Sequence, residues 1–192
     1  MTSKRFTLDT NCIIDIEDAR PNKPFVRDLV ELHGKDGTNV AVSAIGASER
    51  LRTGGYAQNF SEFMEKLKAI GLDHIELLPP LAYSDVCFWD YCVMGDGADP
   101  LERQIHDILF PNIECDWVNY AKARGLPVEI IDKNWRNAKC DVLALWCHIK
   151  HGGGIFVTSD SNFFAETKRE KLQALGAGII AVPLDALALA KR

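Results

Sequence analysis

No two cysteines stand two residues apart, no glycine-rich phosphate loop or nucleophile elbow is present, and no apolar run is long enough to span a bilayer. The first absence excludes the usual zinc and redox motifs, so Cys12, Cys87, Cys92, Cys115, Cys140 and Cys147 read as reduced, mostly buried thiols. The second removes nucleotide-phosphate cradles and covalent hydrolases of the serine or cysteine type, and His106, His148 and His151 form no catalytic pattern. The longest apolar stretch, 176–190, is broken by Pro183 and Asp185, so no membrane partner is expected. The opening MTSKRFTLDTNCII holds basic residues but no unbroken apolar stretch before Asp9; a secretory signal is not expected, and the expected compartment is the cytoplasm.

A basic excess is also missing. The net charge of −5 argues against a non-specific nucleic-acid coat. It leaves room for an enzyme acting on nucleic acid, because a carboxylate-rich site inflates the acidic count without describing the binding surface.

What is present fits one globular domain: 192 residues, 47% of them hydrophobic. A chain of this size buries roughly 70% of the surface its unfolded form exposes, so it folds without a structural metal or disulfide. Short β segments at 5–9 and 38–43 alternate with helical patterns at 11–20, 24–33, 44–53 and 59–70, and a further strand fits 74–78. Residues 79–137 read as a mostly helical insertion, with helices near 82–93, 100–109 and 114–124. A helix over 138–150, a strand at 154–158, a helix over 164–175 and a strand at 178–182 complete the pattern. Alternation of this kind predicts a three-layer α/β/α sandwich around a mainly parallel sheet, with ligands outside the strands' carboxyl ends.

Four acids belong to that edge. Asp9 closes the first strand, Asp160 follows GIFVT in the polar run Thr158, Ser159, Asp160, Ser161, Asn162, Asp141 opens the AKCDVLAL helix, and Glu49 lies past the second strand in VSAIGASERL. Each has a plain structural reading. Asp9 and Asp160 can cap helices, Asp141 can sit favourably at a helix start, and Glu49 can pair with Arg52 along a helix surface. Together they are more than capping requires, because crowded carboxylates repel and a bound Mg²⁺ or Mn²⁺ is the simplest way to keep them ionised. For an RNA substrate the candidate cationic contacts are Arg50 and Arg52 beside Glu49, and Lys133, Arg136 and Lys139 leading into Asp141. Trp135 among them reads as packing, and the aromatics of 79–137 as extra core.

The segments LDTNCII, VSAIGASERL, AKCDVLAL and FVTSDSNF, in this order, resemble the PIN-domain nucleases, in particular the VapC-like ribonuclease toxins. The resemblance covers about 5–70 and 137–182. It implies an endoribonuclease that binds one or two Mg²⁺ or Mn²⁺ ions through Asp9, Asp141 and Asp160, with Glu49 direct or through water, and with Asn11, Thr158, Ser159 and Asn162 in support. It also implies an antitoxin-like partner, and a homodimer is a further expectation. Two rivals remain open: a non-catalytic module of the same fold, and a haloacid-dehalogenase-like phosphatase, which needs a second aspartate where Asn11 stands.

Overall fold

The computed structural model describes residues 4–49, 55–95 and 99–192. Five strands form one all-parallel sheet: β1 (Lys4–Leu8), β2 (Thr38–Ser43), β3 (Glu76–Leu78), β4 (Ile155–Val157) and β5 (Ile179–Ala181), in the order β3-β2-β1-β4-β5. Leu8 is level with Val42 on one side and Val157 on the other. The chain therefore winds outward from β1 through β2 and β3, then returns to β1's other edge for β4 and β5. That reversal opens a crevice between the carboxyl ends of β1 and β4.

Strand side chains alternate between faces, and both faces are buried. Phe6, Leu8, Val40, Val42, Ile155, Val157 and Ala181 pack with α1 (Thr10–Glu17), α2 (Lys23–Glu31), α3 (Phe60–Ala69) and α8 (Pro183–Ala190). Ala41, Phe156 and Ile180 pack on the opposite face with α4 (Pro100–Leu109), α5 (Trp117–Arg124), α6 (Lys133–Lys150) and α7 (Glu166–Leu172). The expected three layers are present. At the amino end of β4, Gly154 is required: its φ is +102°, and a Cβ there would lie 2.5 Å from the Arg5 carbonyl oxygen.

Several boundaries differ from expectation. The helix expected over 44–53 is a 3-10 turn, Ala44–Ser48, after which Glu49 turns extended; Gly46 lets this turn lie against α1, since a Cβ there would stand 3.1 Å from Thr10 Oγ1. The helix expected over 82–93 gives way to turns, a Leu81–Val93 bridge and a 3-10 turn at Trp89–Tyr91. There the chain follows tertiary contacts: the Tyr91 ring stacks on Phe60 at 4.5 Å, and its hydroxyl donates to the Leu77 carbonyl. α8, absent from the expected pattern, begins on Pro183, whose fixed φ suits a first helical position.

The most consequential difference concerns α6. Asp132 caps it by accepting from the Asn134 and Trp135 amides, so the helix starts at Lys133, and Asp141 stands in its middle rather than at its opening. The helix-dipole explanation for Asp141 is therefore withdrawn, because the dipole acts only within the first turn.

Within 79–137 the expectation of extra core holds for Trp117 and Tyr120, which are buried, and for Tyr83, which packs against the core, but not for Trp89, which is exposed. Tyr83, Trp117 and Trp135 cluster with ring centroids 5.4–5.5 Å apart, and the Trp135 indole donates to the Glu114 carbonyl. Among the described residues no helix is long and apolar enough to cross a membrane.

Candidate active site

Asp9 leaves β1 just as Thr158 leaves β4, and the Asp9 amide donates to the Val157 carbonyl across the two strands. Its carboxylate is buried and held three ways. Oδ1 accepts from the Thr10 amide at 2.8 Å, and Oδ2 accepts from the Thr158 hydroxyl at 2.7 Å and the Asn11 amide group at 3.1 Å. Asp9 thus caps α1 and is oriented from the neighbouring strand. An ionised carboxylate accepts at about four lone-pair positions, so capping does not exhaust it.

Asp160 is fixed similarly. Its amide donates to Thr158 Oγ1 at 3.0 Å, and its own Oδ1 accepts from the Asn162 amide at 2.8 Å. Thr158 is consequently a hinge pin between the two acids, receiving from one and donating to the other. The expected support from Asn162 is made by its backbone, for its side-chain oxygen is taken by Lys168 Nζ. Ser159 turns away from the acids and donates to Asp15.

The four acids lie within one another's electric field. Burial, and then the charges of Asp9, Glu49 and Asp160, hold the Asp141 carboxyl well above the usual range. Burial, with Asp9 next, raises Glu49 to about 8, opposed by Thr10 and Lys66. Asp9 is also raised, chiefly by burial, although the Thr158, Thr10 and Asn11 bonds pull it down. Among the described residues, the charges acting on Asp141 are all of one sign.

Two features were not read from sequence. Thr10 Oγ1 is buried without a hydrogen bond of ordinary length, on the side facing Glu49. Asp15 is buried on α1, among the apolar residues of CIIDI, and accepts from Asn22 and Ser159. An acid inside an apolar helix face was the signal for the second; nothing in the sequence marked the first. A cavity of about 320 Å³ opens beside Thr10 and Glu49, walled by Ile14, Ala47, Phe63 and Lys66.

The cationic candidates divide. Arg50 and Arg52 lie outside the described residues. Lys133 is exposed at the start of α6. Arg136 donates to the carbonyls of Ser48 and Asp85 and lies over the Tyr56 ring, so it ties α6 to the segment before Glu49. Lys139 is corrected: it is buried, paired with Glu102 at 2.6 Å and set over Tyr83, and it presents no charge to a substrate. The polar run before Asp141 suggested a solvated approach, whereas the early start of α6 turns Lys139 inward.

The donor set at this edge is all oxygen, the kind that suits Mg²⁺ or Mn²⁺. Among the described residues, no three histidine, cysteine or acidic side chains are gathered closely enough to hold a metal ion as they stand. No family model, curated protein or solved structure matches the chain.

Proposed function

We propose that the chain is a divalent-metal-dependent nuclease hydrolysing phosphodiester bonds, an endoribonuclease of the VapC-like type within the PIN-domain nucleases its motifs resemble. The observation that carries this reading is a set of four acids from four separate segments at the β1–β4 crevice, where burial, and then the charges of neighbouring acids including Asp160, hold Asp9, Glu49 and Asp141 above the usual carboxylate range. A fold gains no stability from such repulsion, so its presence favours a site that receives positive charge. Mg²⁺ or Mn²⁺, when bound, would supply that charge and the Lewis acidity that activates water and stabilises a leaving oxygen.

The chain's own groups do the rest. Asp9, Asp141 and Asp160 would hold the ion, while Thr158 and Asn11 orient Asp9, and the Asp9 and Asp160 turns share Thr158 as a common support. Glu49, raised to about 8 by burial and then by Asp9, carries a proton near neutrality. RNA is the substrate, and an antitoxin-like protein the partner, that the resemblance implies. Asn11 donates to Asp9 rather than supplying an acid, which disfavours the phosphatase reading.

Labelled RNA incubated with the purified chain and Mn²⁺ should be cut, and Asp9→Asn or Asp160→Asn should stop the cutting while circular dichroism stays unchanged. Full activity in Asp9→Asn ends the proposal. That no three of the described acids are gathered closely enough to hold a metal ion favours one alternative, a non-catalytic module of the same fold. Calorimetry that finds no Mg²⁺ or Mn²⁺ uptake at millimolar concentration would support it.

A further inference from the structure

We propose that Asp15 is a positioning residue that locks the Thr158–Asp160 turn against α1, and so sets the distance between Asp9 and Asp160. The inference rests on the nuclease reading for its consequence, though the latch itself is a matter of geometry. Asp15 Oδ2 accepts from Ser159 Oγ at 3.2 Å and from Asn22 Nδ2 at 3.1 Å, and Asn22 Nδ2 also donates to Ser159 Oγ at 3.0 Å. Three side chains thereby close a ring between α1, the start of α2 and the turn after β4.

Asn22 is the telling member. It occupies the N-cap position of α2, where asparagine ordinarily accepts from the helix amides, yet it makes no capping bond and spends its amide group on Asp15 and Ser159. A local preference given up for a long-range bond marks a tertiary role. The same turn is pinned at its other end by Thr158, which donates to Asp9. α1 therefore grips one three-residue turn twice, through Asp9 at its start and Asp15 near its end. Six residues of helix separate the grips by about 9 Å along the axis. With both closed, Asp160 cannot swing relative to Asp9; with only Thr158 left, it can.

The test uses the full chain. Asp15→Ala and Ser159→Ala should each weaken Mn²⁺ binding in calorimetry by about 10-fold, as loss of a residue supporting a ligand does, and should speed hydrogen exchange at the Asp160 amide. Asp15→Asn should keep wild-type Mn²⁺ affinity, since its side-chain oxygen can accept both bonds. If Asp15→Ala does not fold, Ser159→Ala decides, its side chain being exposed. Unchanged affinity and exchange in Ser159→Ala overturns the latch. So does Asp15→Asn failing as fully as Asp15→Ala, which would mean that the charge and not the bonds matters. A wild-type chain that takes up no Mn²⁺ sinks the nuclease reading instead, and the Asp160 exchange rate alone then judges the latch.

Discussion

Lys139 and Asp141 stand two residues apart on α6, are both taken largely out of water, and are treated in opposite ways by their surroundings. Lys139 has Glu102 at 2.6 Å, the Tyr83 ring beneath its ammonium and Cys115 alongside. Its charge is answered completely, and the group serves to fasten α4 to α6. Among the described residues, the charges that act on Asp141 are those of Asp9, Glu49 and Asp160. A buried charge that is paired is architecture, whereas an acid among others of its own sign is a candidate functional group.

The sharpest way to break this comparison is to unpair Lys139. Replacing it with Ala leaves Glu102 buried and unanswered, which should destabilise the fold by about 3 to 5 kcal/mol in urea unfolding. A Lys139→Met, Glu102→Leu double variant should recover most of that loss, since an apolar pair of similar volume is often neutral. A small effect of the single change would mean that Lys139 is wetter than its surroundings imply.

Asp141→Asn should do the reverse. It removes repulsion, so the metal-free protein should melt higher, while Mn²⁺-dependent cleavage of RNA falls by about 100-fold or more, the loss of several kcal/mol of charge stabilisation. A variant both less stable and fully active would erase the distinction between the two positions.

The pH dependence probes the acids together. Glu49 is raised from 4.5 to about 8, so the folded chain binds its proton more tightly than the unfolded chain does. The stability this confers is complete below pH 4.5 and is lost as pH rises through 8. Melting curves without metal should therefore fall by several degrees across that window. Glu49→Gln should flatten the fall, and saturating Mn²⁺ should suppress it by displacing the proton. A flat wild-type profile would show that the acids are not coupled.

The smallest effect concerns what sets the register of both residues. Asp132→Ala removes the cap of α6 and should destabilise by about 1 kcal/mol, without altering the ratio of cleavage rates with Mn²⁺ and Mg²⁺.

Much of this was legible before any coordinates. β1, β2 and the helices at Lys23–Glu31, Phe60–Ala69 and Pro100–Leu109 follow from apolar period and from glycine and proline punctuation. Asp9 and Asp160 were placed correctly at strand ends, because a polar run directly after a buried strand has few other places to be. The segment 82–93 was not legible: Tyr91 packs on Phe60, from a distant helix, and no local pattern encodes that contact. Nor was the start of α6. KNWRNAK looks like a polar approach, and only burial of Trp135 against Tyr83 and Trp117 makes its helical turns intelligible.

Sequence alone, then, determined the alternation of strand and helix, and hence the parallel sheet and the edge at which acids collect, because those depend on spacing within short windows. Tertiary structure alone decided that Asp141 sits in mid-helix facing three other acids, that Lys139 is sealed beside Glu102, and that Asp15 grips Ser159. Which way a side chain on a helix faces, and whose charge it meets there, depends on neighbours supplied from far along the chain.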